Sequence, residues 1–383
     1  MRKIALITAA RSEYGIQRRL IKQLCEDKDI SFSLIVGGSH LSQKHGMTIR
    51  EIESDGIPIA AKVDIGIDST SDVPTIMAKA LTGFSAALKS CSPDLVIMLG
   101  DRYEMLSAAL ACTLHNIPIA HLHGGETTVG ATDEVFRHAI TKAAFLHFTS
   151  CEEYRNRVIQ LGEDPARVFN VGALGVENIL QYKLIDRKSL SDSLGIRFLR
   201  NNILTTFHPV TLQKGQGVQQ VSELLSAFYQ LRDTSIIITR PNADCEGDAI
   251  AQELERFAKS RENVYLFSSL GSLNYLSLAK QMDLVVGNSS SGIIEIPSLK
   301  VATVNIGDRQ KGRIQASSVI NCDPVAGNIY NAICRALTPE FKHIVQETIN
   351  PYEKRGTSAE IIRIIKSSPL SCVKKFYDMP PQS

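Results

Sequence analysis

Short apolar runs alternate along the chain with longer stretches in which apolar residues recur every three or four positions. The first pattern fits buried strands and the second fits amphipathic helices. In the first half it predicts strands over residues 4–8, 32–36, 57–63 (the weakest), 94–99, 117–121, 146–149 and 168–171. Helices are expected over 14–25, 73–89, 105–114 and 133–142. A charged segment over 176–199 reads as a helical linker, after which the alternation restarts. Strands follow over 203–207, 235–239, 264–267, 283–286 and, as the last, 301–306, with helices over 218–231, 249–259 and 273–280. Regular strand–helix alternation implies a parallel sheet wrapped by helices. Two such runs imply two domains, 1–178 and 179–365, with a tail over 366–383 expected to pack back on the first.

Composition narrows the class without naming a chemistry. At 383 residues the chain is too long for one ordinary core. Its formal net charge of +2 points to neither a nucleic-acid nor a membrane surface. No stretch reaches the roughly 18 apolar residues of a membrane span. Met1-Arg2-Lys3 leads into an apolar run that stops at Arg11-Ser12-Glu13, which reads as a first strand of a cytoplasmic protein. The eight cysteines form no Cys-x-x-Cys pair, so buried free thiols are expected rather than disulfides or a metal site.

The polar residues fall where an open α/β sheet binds ligands, just past the carboxyl ends of strands. In the first half these are Arg11, Asp101, His123 and Glu126, with Asp133, Arg137 and His138 opening the next helix. Asp133 and Arg137 are four apart and share a helix face. Plain structural readings stand beside these: Asp101 or Asp133 as a helix N-cap, Glu126 as a loop residue, Asp133–Arg137 as a surface pair. His121 ends a strand and reads as a packed histidine. In the second half His208, the loop from Arg240 through Asn242 to Asp244, and Arg309 sit at strand ends. There too lies Gly287-Asn288-Ser289-Ser290-Ser291-Gly292, running on to Glu295. This last stretch, a strand opening through small residues into a helix, fits an anion site, with hydroxyls for a pyrophosphate and Glu295 for a ribose. It fits equally a serine N-cap on an ordinary helix.

Two doubly wound, Rossmann-like domains in tandem suggest an interdomain cleft of glycosyltransferase-B type. The first strand is not followed by Gly-x-Gly-x-x-Gly, and the chain has no Gly-Lys-Ser/Thr loop, which disfavours a dehydrogenase or a kinase. The motifs as a set then resemble a family. Arg11-Ser12-Glu13-Tyr14-Gly15, Gly100-Asp101-Arg102-Tyr103-Glu104, His121-Leu122-His123-Gly124-Gly125-Glu126 and Arg137-His138-Ala139-Ile140-Thr141-Lys142 are similar to the hydrolysing UDP-N-acetylglucosamine 2-epimerases. So are Gly287–Gly292 and the run from Asn305 to Arg313. The resemblance is to the bacterial sialic-acid branch and covers essentially the whole chain.

The resemblance implies conversion of UDP-GlcNAc and water to ManNAc and UDP, by elimination to 2-acetamidoglucal and then hydration. It implies Asp101, Glu126 and Asp133 as catalytic carboxylates, with His123 as a further candidate. Arg11, Arg137, His208, Arg240, Asn242, Ser289, Ser290, Ser291, Gly292, Glu295 and Arg309 would bind the substrate. No cofactor and no metal are expected, and the family assembly is a homodimer or homotetramer. Clustered carboxylates raise at least one pKa, so one can act as an acid while another is a base. Asp101 is expected to take the C2 proton, and Glu126 and Asp133 to serve hydration. A UDP-2,4-diacetamido-trideoxyhexose leading to legionaminic acid is the alternative substrate. A UDP-sugar glycosyltransferase, or a silent UDP-sugar sensor, is the alternative of another class.

Overall fold

Ile4, Ala5, Leu6 and Ile7 are consecutive and all wholly buried, which only a strand covered on both faces accommodates. That strand is β1 (Arg2–Thr8) in a computed structural model that describes residues 1–70, 72–129, 132–208, 215–240 and 247–379. It is followed by α1 (Arg11–Glu26), β2 (Ile30–Gly37), α2 (Ile49–Ser54), β3 (Ile59–Val63), α3 (Val73–Cys91) and β4 (Leu95–Leu99). Then come α4 (Tyr103–Leu114), β5 (Ile119–Leu122), α5 (Asp133–Ala143), β6 (Leu146–Thr149), α6 (Glu152–Gln160) and β7 (Val168–Asn170). The segment read as one helical linker is two helices, α7 (Leu174–Gln181) and α8 (Arg187–Leu194). Asp186 starts the second by accepting from the Ser189 N–H at 3.0 Å.

The second series is β8 (Asn201–Thr206), α9 (Gly217–Tyr229), β9 (Thr234–Thr239), α10 (Gly247–Lys259), β10 (Val264–Phe267) and α11 (Gly271–Gln281). It continues with β11 (Leu284–Gly287), α12 (Ser291–Ile294), β12 (Ala302–Ile306), β13 (Val319–Cys322), α13 (Ala326–Ala336), α14 (Pro339–Glu347) and α15 (Thr357–Ser367). The sequence pattern ends the strands at 301–306, but β13 adds a sixth to this sheet. It is a four-residue edge strand with only one buried position, too short a run to read.

Both sheets are parallel, ordered β3-β2-β1-β4-β5-β6-β7 and β10-β9-β8-β11-β12-β13. Leu6 lies opposite Leu34 on one side and Ile97 on the other, in the middle of the first sheet. In each sheet the first and fourth strands of the series are neighbours, so strand order reverses between β1 and β4 and between β8 and β11. Crevices open at such reversals, beyond the strand carboxyl ends.

The chain divides into two units, Met1–Glu126 with Thr132–Asn178 and Lys354–Ser383, and Thr127–Ala131 with Ile179–Glu353. Sequence patterning extends the second domain to residue 365, whereas the structure returns the chain to the first unit at Lys354. The cause is α15, which buries Ile361, Ile362, Ile364 and Ile365 in the same core as Ile4, Leu6 and Leu20. Past it, Lys374 Nζ donates to the Lys142 carbonyl at 2.8 Å and pairs with Glu163 at 2.7 Å. The Tyr377 N–H donates to the Gly162 carbonyl at 2.9 Å. Cys112 and Cys151 are buried free thiols as expected, but Cys25, Cys334 and Cys372 are exposed. Among the described residues no helix is long and apolar enough to cross a membrane.

Candidate functional site

At the first reversal, β1 runs into Arg11, the first residue of α1, and β4 runs through Gly100 into Asp101. Gly100 has φ of +87°, a left-handed turn that glycine takes without strain. The start of α1 is held by a residue to which the sequence pattern assigns no role. Glu13 is buried and its Oε2 accepts from the N–H groups of Ala9 at 2.9 Å and Ala10 at 3.2 Å. Burial pushes its pKa up to about 7, opposed by the nearby Arg102 and assisted by Glu104.

Beyond β5 the chain reaches Glu126 through two left-handed residues. Gly125 has φ of +77°, and a Cβ there would stand 2.4 Å from the Tyr154 carbonyl oxygen, so nothing larger fits. His123 has φ of +63°, which costs a residue with a Cβ about 1–2 kcal/mol. Its Nδ1 lies 3.2 Å from Glu126 Oε1, and its Nε2 is buried with no hydrogen-bond partner among the described residues. Strain and an orphaned polar atom at one residue are features of functional sites.

Glu126 also accepts from Ser150 Oγ at 2.8 Å, a contact the sequence does not advertise. Its Oε2 is 3.9 Å from Arg137 NH1, while Arg137 NH2 pairs with Asp101. Arg137 and Glu126 are each 3% exposed. One buried guanidinium therefore faces two carboxylates from different strand ends. Asp133 is not the N-cap of α5: Thr132 holds that position, and Asp133 is the first helical residue, on the face of Arg137. His138 pairs with Glu134 at 3.1 Å. Among the described residues no three His, Cys, Asp or Glu side chains form a metal-holding group.

At the second reversal, β11 ends on Gly287, whose φ is +144° and whose Cβ would stand 2.1 Å from the Thr206 carbonyl oxygen. The glycine lets the strand pass against β8. Asn288, part of the small-residue motif but given no role by it, is the hub. Its side chain accepts from the His208 N–H and donates to the His208 carbonyl, both at 2.7 Å. Its own carbonyl accepts from Arg309 at 3.0 Å and Gln310 at 2.9 Å. So His208, Arg309 and the Ser289–Ser291 turn are brought together. Burial, and then Arg309, hold the His208 pKa down near 3, so its imidazole is neutral and offers a hydrogen bond rather than a charge.

The helix after the serines is α12, four residues only, followed by a 3-10 turn over Ile296–Leu299. Glu295 closes α12 instead of lying one turn inside it. So short a helix has little macrodipole, and any anion affinity here rests on local N–H groups, hydroxyls and Arg309. Gly292 packs so tightly that a Cβ would lie 2.8 Å from Thr303 Cγ2. Tyr275, which no sequence motif singles out, stands beside Ser291, Glu295 and Thr206, and burial raises its phenol to about 12. Arg240 pairs with Glu255 on α10, and Asn242 lies outside the described residues.

The first unit thus offers paired carboxylates, an imidazole and a fixed guanidinium, suited to moving protons. The second offers hydroxyls, a neutral imidazole and an arginine, suited to an anion. Comparison with known proteins gives the chain a family. The model of the UDP-N-acetylglucosamine 2-epimerase family matches residues 22–366. The polysialic acid biosynthesis protein P7 of Escherichia coli is 42% identical over 386 residues, spanning 99% of this chain and 98% of that one. The GDP/UDP-N,N'-diacetylbacillosamine 2-epimerase (hydrolyzing) of Campylobacter jejuni is 40% identical over 344 residues, 89% of each chain. The crystal structure of UDP-GlcNAc 2-epimerase from Neisseria meningitidis bound to UDP-GlcNAc superposes with a TM-score of 0.80 at 17% identity, over 96% of this chain and 100% of that one. That likeness carries the fold, two α/β units of glycosyltransferase-B type. The family match and the full-length relatives carry the kinship, and the chain belongs to the UDP-N-acetylglucosamine 2-epimerase family.

Proposed function

We propose that the chain is a hydrolysing 2-epimerase that converts UDP-GlcNAc and water to ManNAc and UDP for sialic acid biosynthesis. The observation that carries this reading is Arg137, buried, with Asp101 and Glu126 both turned to it, in a chain akin to a polysialic acid protein over its full length. Elimination breaks the C2–H and C1–O bonds together: a base takes the proton, UDP leaves with the C1–O electron pair, and 2-acetamidoglucal remains. Hydration then puts hydroxyl on C1 and a proton on the other face of C2. Protons arriving and leaving on opposite faces call for more than one acid/base group. Asp101 takes the proton in this scheme, with Glu126, Asp133 and His123 serving hydration. Arg11, Ser289, Ser290, Ser291, Gly292 and Arg309 hold the diphosphate, His208 donates one hydrogen bond, and Glu295 accepts from the ribose. Arg240 and Asn242 remain candidates for the same nucleotide. A homodimer or homotetramer is the assembly to expect.

A second reading keeps the reaction and changes the sugar to a UDP-2,4-diacetamido-trideoxyhexose, on the strength of the Campylobacter relative's name. The two are separated by incubating the protein with each UDP-sugar in heavy water. UDP-GlcNAc should release UDP and yield ManNAc carrying deuterium at C2. Turnover of the diacetamido sugar alone selects the second reading. Release of UDP with C2 protium retained refutes elimination, and no UDP without an added acceptor points to a glycosyltransferase.

A further inference from the structure

His121 sits on β5 behind the carboxylates and is wholly buried. Its Nε2 lies 2.8 Å from the Gly100 carbonyl oxygen and its Nδ1 3.1 Å from Thr141 Oγ1. A carbonyl only accepts, so Nε2 carries the proton, and the Thr141 hydroxyl donates to Nδ1. The charged and titratable groups facing the ring are His147 on β6, His123 and Glu126. Burial first of all keeps the ring neutral, with its pKa down near 3.

The partners of the two nitrogens matter more than the ring's charge. Gly100 directly precedes Asp101. Thr141 is one turn beyond Arg137 on the same face of α5. The imidazole therefore joins the same two elements that the Asp101–Arg137 pair joins. A third element rests on it: a Cβ at Gly124 would stand 3.0 Å from Thr141 Oγ1 and 3.1 Å from His121 Nδ1. Gly124 lies two residues before Glu126, so the backbone leading to the second carboxylate packs against this hydrogen bond.

We infer that His121 is a positioning residue, a rigid strut between the end of β4 and α5 that holds Asp101 and Glu126 on Arg137. Neutral imidazole suits the task because it donates from one edge and accepts at the other with no torsion between them. The inference rests on the proposed function for its kinetic consequence, and on the geometry alone for its structural one.

The test compares His121→Gln, His121→Met and Thr141→Val. Gln returns a donor near the Nε2 position, Met fills the volume without one, and Val removes the Thr141 hydroxyl while leaving the ring untouched. In UDP release, Met should lower kcat roughly 10- to 100-fold, the scale of a small misplacement of reacting groups. Gln should recover a large part of that loss, and Val should cost about threefold. UDP affinity should be unchanged in all three. If Met is as active as Gln, or Val leaves kcat unaltered, His121 only fills space and the inference is overturned. Crystal structures of the variants decide separately: Asp101 should leave Arg137 in Met and stay in Gln. An intact pair in Met overturns the inference whatever the reaction. A wild-type protein that releases UDP from neither sugar sinks the proposed function, while the pair in the variant structures still settles His121.

Discussion

Replacing Glu13 by Gln should change how stability depends on pH more than it changes stability at any one pH. Glu13 is buried at the mouth of α1, where one oxygen accepts two backbone N–H groups and the other has no partner among the described residues. Burial raises its folded pKa from 4.5 to about 7. The native state therefore holds the proton more tightly than the unfolded chain does. That contribution is complete below 4.5 and is lost as pH rises through 7. The full rise corresponds to about 3 kcal/mol, most of which is lost between about pH 5 and about pH 9. Gln keeps an oxygen for the Ala9 and Ala10 N–H groups and does not titrate. Urea unfolding of both proteins at three pH values between about 5 and about 9 should show the wild type losing roughly 2–3 kcal/mol that Glu13→Gln retains. Parallel pH profiles would refute the account, since they would mean that Glu13 titrates alike folded and unfolded.

The geometry sets three further outcomes. Asp101→Asn should lower UDP release at least about 100-fold while calorimetry finds UDP affinity near normal, because Asp101 pairs with Arg137 and neither is among the groups that hold the diphosphate or ribose in the proposed scheme. Gly287→Ala should cost more than about 3 kcal/mol in thermal unfolding and abolish UDP binding, because the added Cβ would stand 2.1 Å from a backbone oxygen at a φ of +144°. Burial alone would raise the Glu163 pKa, but His147, Lys142 and Lys374 overcome it and hold it down to about 2. That stability is present above 4.5 and lost as pH falls through 2. Glu163→Gln should therefore cost about 3 kcal/mol at neutral pH, by an unfolding difference that shrinks in acid.

The strand ends were legible because parallel strands buried on both faces read as unbroken apolar runs, and the residues just past such a run lie on the ligand edge. Arg11, Asp101, Glu126, His208 and Ser289 could all be picked out in that way. Asn288 and Glu13 stood inside recognisable motifs without a role, since a hydrogen-bond hub and a buried cap are defined by partners distant in sequence. Tyr275 and Ser150 gave no signal, being ordinary residues in an ordinary helix and strand end.

Local periodicity thus determined the elements, their alternation and the edge on which chemistry would lie. Tertiary structure decided which core claims a segment and which groups meet. The isoleucines of α15 announce burial, but only packing assigns them to the first unit rather than the second. Arg137 announces a helix-face charge, but only folding sets it between Asp101 and Glu126. The Gly287–Glu295 stretch reads as a strand opening into a helix that runs past Glu295, but that helix has only four residues and the stretch is tied through Asn288 to His208. The division has one physical reason. Backbone hydrogen bonding and amphipathicity act over a few residues and leave a periodic trace, whereas hydrogen-bond partners and core contacts form across the chain and leave none.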